Sequence, residues 1–87
     1  MSNLSNPPGL PEFVGRTVRA RRQQLGISQE ELGFRAGLHR TYITDVERGA
    51  RNLSLTTADR IAQALGVPLS KLLFEVEKAR GGTEVES

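Results

Sequence analysis

Apolar side chains recur in this chain three and four residues apart, and the recurrences are interrupted at Gly26, Gly37, Gly49 and Gly66-Val67-Pro68. That period belongs to helices buried on one face, and β-branched alternation is nowhere sustained, so an all-α fold of five short helices is predicted. The first is expected to run from Pro11, a favoured first-turn residue with Glu12 behind it, to just before Gly26. Val14, Val18 and Leu25 form its buried stripe, and Arg21 falls near that stripe, so its stem must snorkel outward. A second helix opens at Ser28-Gln29-Glu30-Glu31, where Ser28 caps and Glu31 reaches back in a complete capping box. Leu32 and Ala36 point inward, and Gly37 closes the helix. The third spans roughly Arg40 to Arg48 with Ile43, Val46 and Tyr42 as apolar contacts. The fourth runs from a Ser54 cap to Leu65 and buries Leu55, Ala58, Ile61, Ala62 and Leu65; the fifth runs from about Leu69 to Lys78.

Proline, glycine, asparagine and serine crowd residues 1–10, and GGTEVES occupies 81–87. A flexible arm and a disordered tail are therefore expected to flank one domain over 11–80. A chain of 87 residues buries only about 60–65% of its unfolded surface, so the core must be economical. The absence of cysteine and the single histidine, His39, leave no disulfide framework and no His-pair or cysteine metal site. The absence of cysteine also fits a reducing cytoplasm. No apolar run reaches the ~18 residues of a membrane span, and MSNLSNPPGLPEF lacks the charged and apolar regions of a secretory leader. No convergent acid–base pair and no glycine-rich phosphate loop stand out, so no enzyme, cofactor or small-molecule substrate is expected.

Charge sharpens the picture. Residues 16–51 hold eight arginines against Glu30, Glu31, Asp45 and Glu47, a local +4, within a chain of net charge +2. Ten of the twelve basic residues are arginine, whose planar fork suits phosphates and guanine edges. The plainer alternative is a solvated basic face. Two short helices, Gln29–Ala36 and Arg40–Arg48, joined by a turn centred on Gly37, also make a helix-turn-helix pattern, although tight helical corners occur in many domains.

Gly26, Ser28-Gln29-Glu30-Glu31-Leu32, Ala36-Gly37-Leu38, Tyr42-Ile43, Glu47-Arg48-Gly49, Ile61-Ala62 and Ala64-Leu65-Gly66-Val67 fall in a register that resembles the lambda-repressor/Cro-like (XRE) helix-turn-helix family over residues 14–74. Within it, GLHRTYITDVERGARNLSL is similar to the controller proteins of restriction–modification systems. The resemblance implies a compact five-helix DNA-binding domain whose third helix enters the major groove N-terminus first. Arg40 would then donate to guanine O6 and N7, Thr41 would meet thymine, and Thr44 would share that face. Asp45 has two readings, accepting from cytosine N4 or orienting Arg40 or Arg48. Gln29 at the start of the second helix would meet a phosphate and brace the start of the third. Tyr42 packs inward or touches the DNA backbone, His39 caps or meets a phosphate, and Arg48 meets phosphate or solvent. Arg51 and Asn52 are carried over as DNA contacts, with a turn role as the alternative for Asn52. The family also implies a structural ion pair between Arg22 and Glu47. Phe34 points outward, either folding toward Phe13 or marking a contact patch, and Gly33 permits close packing at a propensity cost of about 1 kcal/mol.

The function so implied is a sequence-specific transcription regulator. One domain reads about four to six base pairs, so a homodimer on a palindromic operator of double-stranded DNA is expected. Leu69, Leu72, Leu73, Phe74 and Val76 exceed one amphipathic stripe and are assigned to the dimer interface, with completion of the monomer core as the alternative. A competing reading is an antitoxin or protein-interaction adaptor built on the same fold.

Overall fold

The computed structural model describes residues 8–81; most of the expected arm and tail lies outside the described residues. Five helices follow in order, α1 Leu10–Leu25, α2 Gln29–Ala36, α3 Arg40–Glu47, α4 Leu55–Ala64 and α5 Leu69–Ala79. None of them is long and apolar enough to cross a membrane. The expected all-α architecture is present, with boundaries shifted by a residue or so.

α1 starts one residue earlier than proline placement implies, because Glu12 accepts the Gly9 backbone N–H at 2.8 Å and anchors the first turn. At α2, Ser28 Oγ accepts the Glu31 N–H at 2.9 Å, as the capping signal predicts. The reciprocal half of that box is absent. The Glu31 carboxylate pairs instead with Arg35 one turn on, at 2.9 Å, because an oppositely charged neighbour at that spacing competes for it.

The α2–α3 corner is set by a reversal at Gly37. Its φ of +72° is the left-handed conformation glycine adopts without penalty, and Leu38 N–H returns to Gly33 O at 2.8 Å while Gly37 N–H returns to Phe34 O at 3.3 Å. A methyl group at Gly33 would stand 2.6 Å from the Leu38 carbonyl oxygen and 3.4 Å from the backbone nitrogen of Arg40, so Gly33 is small to admit the returning turn and the start of α3.

Val18, Leu32, Ile43, Val46, Ile61, Leu65 and Leu72 form the core with Ala36 and Ala62, drawing on all five helices. α1 crosses α3 at Gly15, where an added Cβ would lie 2.4 Å from Val46 O and 2.7 Å from Glu47 O. Backbone cannot yield as a flexible side chain does, so Gly15→Ala is expected to destabilise the domain by about 1–3 kcal/mol in urea or thermal melting. Unchanged melting would show that the two helices separate freely.

Four expected placements are corrected. Leu25 is 39% exposed, since it ends α1 beside a shallow cleft lined by Arg21, Arg35 and Arg60. Leu55 is 72% exposed, and Leu53, just upstream, packs against the core instead. Leu72 and Val76, assigned to a dimer surface, are each 2% exposed and complete the interior of a single chain. Leu73 and Phe74 remain exposed and Leu69 half-buried, as alternation around α5 requires. Arg21 does more than run outward. Its Nε donates to Leu65 O at 3.2 Å, satisfying a carbonyl at the end of α4.

Candidate nucleic-acid interface

α3 begins at a histidine cap. His39 Nδ1 accepts the Thr41 N–H at 3.0 Å, so the neutral ring carries its proton on Nε2, which leaves that edge for solvent or an anion. Arg40 and Thr41, the first residues of α3, are exposed, and Arg40 has no side-chain partner among the described residues. Phe34 is 82% exposed on α2, pointing outward as the helical wheel requires.

The inner side of α3 is tied to α1 and α2 by a continuous polar chain. Arg22 grips Glu47 with two parallel bonds, Nε to Oε2 at 2.7 Å and Nη2 to Oε1 at 3.0 Å, and its Nη1 donates to Ile27 O at 2.9 Å. The pair is nearly dry, with side-chain exposures of 12% and 4%. The hydrogen bond that Arg22 donates to Glu47 raises the Arg22 pKa above its already high ordinary value, against the desolvation that lowers it. Gln29 continues the chain, its Nε2 donating to Glu47 Oε1 at 3.0 Å and its Oε1 accepting from the Thr44 hydroxyl at 2.9 Å. Both ends of that amide being held, Gln29 braces α3 along its middle and end rather than at its start, and one Nε2 hydrogen stays available to a phosphate. Thr44, expected on the base-reading face, is half-buried with its hydroxyl engaged by Gln29 and by Arg40 O at 3.2 Å.

A second cluster covers the far end of α3. At Gly49 the chain reverses, with Ala50 N–H returning to Asp45 O at 2.9 Å, and the reversal lays Arg51 back along the helix. Asp45 Oδ1 accepts from Arg48 at 2.8 Å and Oδ2 from Arg51 at 3.3 Å, while the Arg51 guanidinium lies 4.7 Å from the Tyr42 ring centroid. The hydrogen bond from Arg48, followed by that from Arg51, holds the Asp45 carboxyl below the ordinary carboxylate range despite opposing desolvation. Asp45 does orient an arginine, as one of its two readings held, but its partners are Arg48 and Arg51 and not Arg40. Tyr42, half-buried, both packs against the core and stacks under Arg51. Asn52 is exposed beside them.

Arg40, Thr41, Asp45, Arg48, Arg51 and Asn52 are thus gathered on α3 and the segment that folds back from it, with Gln29 and Thr44 immediately behind. Two features had no signal in the residue pattern: the Tyr42–Arg51 stack, whose separation matches no helical repeat, and the Arg21 cap on α4.

Comparison with known proteins agrees with this geometry. The helix-turn-helix family profile matches residues 18–72. Control protein C.BamHI from Bacillus amyloliquefaciens is 50% identical over 62 residues, covering 70% of this chain and 76% of its own length. Control protein C.MunI from a Mycoplasma species is 35% identical over 66 residues, covering 76% and 89%. The crystal structure of the restriction-modification controller protein C.AhdI from Aeromonas hydrophila superposes with a TM-score of 0.69 at 40% identity, over 71% of this chain and 94% of that one. Agreement on this scale reaches well beyond a shared turn, and the chain belongs to the helix-turn-helix family of transcriptional regulators, with controller proteins of restriction–modification systems among its relatives.

Proposed function

We propose that the protein is a cytoplasmic, non-catalytic regulator that binds a palindromic DNA operator as a homodimer. The observation that carries this reading is Arg40, an exposed guanidinium without a partner among the described residues, at the first turn of a helix whose opposite side is locked by Arg22, Glu47, Gln29 and Thr44. A rigid helix presenting a free two-donor fork is suited to a guanine edge, where both hydrogen bonds must form together. Thr41 adds a hydroxyl and a methyl beside it. The Nε2 edge of His39, the remaining amide hydrogen of Gln29, Tyr42, Arg48, Arg51 and Asn52 supply contacts to the DNA backbone. Residues 1–10 and 81–87 serve as an arm and a tail flanking the domain.

The dimer surface is α5, through exposed Leu73 and Phe74 with half-buried Leu69. Duplexes selected from a random pool should share a palindrome with half-sites about 34–36 Å apart, one helical turn. In sedimentation at tens of micromolar, about the range where weak dimers assemble, the wild type should run at twice the chain mass and Leu73→Asp at one. A monomeric wild type, or equal affinity for every duplex at physiological salt, would sink this reading.

A further inference from the structure

Asp45 is an anomaly on a surface meant for a polyanion. It is only 22% exposed, it sits between Arg48 and Arg51, and each of its carboxylate oxygens takes one of them, at 2.8 and 3.3 Å. The other acid of the segment, Glu47, is turned inward and paired with Arg22. A carboxylate brought close to phosphates raises the energy of the complex, so its presence at the face calls for a compensating use.

We propose that Asp45 acts as an internal substitute for a DNA phosphate, holding Arg48 and Arg51 in the free protein so that random duplex cannot recruit them. The inference rests on the DNA-binding reading above. A guanidinium accepts carboxylate and phosphate oxygens with the same fork geometry, so exchanging one for the other is like for like. Both arginines are well exposed, at 65% and 48%, which keeps the clamp within reach of a competing anion. Exposed ion pairs of this kind contribute little to stability, so the clamp can open without unfolding α3. Tyr42 under Arg51 narrows the motion to a swing of the guanidinium away from the carboxylate.

Binding without sequence preference is almost wholly electrostatic, so occupying two cations internally weakens it. At the operator, Arg40 and Thr41 hold the duplex at base contacts and bring a phosphate to displace Asp45. Since specificity is a difference of affinities, the clamp acts by lowering the unwanted one. Asp45 is a positioning residue here and touches no base.

The test is Asp45→Asn, which keeps shape and removes charge. Binding is measured across a salt series to a mixed-sequence duplex of about 30 base pairs and to a duplex recovered by random selection. For the mixed duplex, affinity should rise about tenfold at ~0.1 M salt and the salt slope should steepen by about one to two units. The ranking of single-base variants should hold while the ratio of selected to mixed affinity falls, with the melting midpoint nearly unchanged. In an Arg48→Ala/Arg51→Ala background the effect of Asp45→Asn should shrink to the small gain from relieved carboxylate–phosphate repulsion, about twofold, since no arginines remain to be released. A gain that persists undiminished in that background is a general charge effect and overturns the proposal. Loss of preference at one base pair with unaltered mixed-duplex affinity means that Asp45 reads a base, and overturns it too. A wild type that binds no duplex removes the DNA-binding reading itself. A wild type that binds its selected duplex, with Asp45→Asn changing neither affinity nor slope, removes only the clamp.

Discussion

Arg22→Ala is expected to cost about 3–5 kcal/mol, the largest loss of any single substitution at the polar brace. The Glu47 side chain is 4% exposed, and with Arg22 gone its charge faces only the Gln29 amide. The Ile27 carbonyl loses its Nη1 donor as well. Small domains are stable by about 5–15 kcal/mol in total, and at this size each kcal/mol moves the melting midpoint by about 4–8 °C, so the variant should melt far below wild type. Arg22→Lys should fall between the two, because an ammonium keeps the charge but cannot reproduce the parallel bonds to both Glu47 oxygens. Pairing Arg22→Met with Glu47→Leu should recover part of the loss, since the uncompensated charge then disappears. Melting of Arg22→Ala within about 1 kcal/mol of wild type would mean that Glu47 finds water or another donor, and the pair would not be what fixes α3.

Arg40→Ala should show the opposite profile. Its side chain has no partner among the described residues, so the free protein loses little and the melting midpoint should stay near the wild-type value. Binding should weaken by about 1–3 kcal/mol for each lost guanine contact, and by about twice that for a dimer with one such contact in each half-site. Preference should relax at one symmetry-related base pair, measured by titrating the selected duplex and its single-base variants. If Arg40→Ala melts early and binds every variant in unaltered order, Arg40 is scaffold and the reading of α3 fails.

Much of the helix-turn-helix is legible from neighbouring residues. The Ser28 cap, the reversal at Gly37 and the apolar positions Leu32, Ile43, Ile61 and Leu65 follow from residues a few positions apart, and each appears in the structure. The return bond from the Glu31 carboxylate to the Ser28 backbone N–H does not, although its spacing is right, because Arg35 lies within reach of the same carboxylate. Periodicity marks Leu25, Leu55, Leu72 and Val76 alike as apolar. Whether such a residue is covered depends on how the helices pack, which leaves Leu55 in solvent and Val76 in the interior.

The site divides along the same line. Family resemblance reaches Arg22 and Glu47 as partners, and the two bonds between them agree. Gln29 as the link from Glu47 to Thr44, and Asp45 as the holder of Arg48 and Arg51, depend on where three helices and a reversal bring flexible side chains. Helix period, caps and turns are properties of short stretches, because backbone hydrogen bonds close over three to five residues. A guanidinium or amide several bonds from its backbone can choose among many acceptors, and only the packed chain decides which of them is within 3 Å.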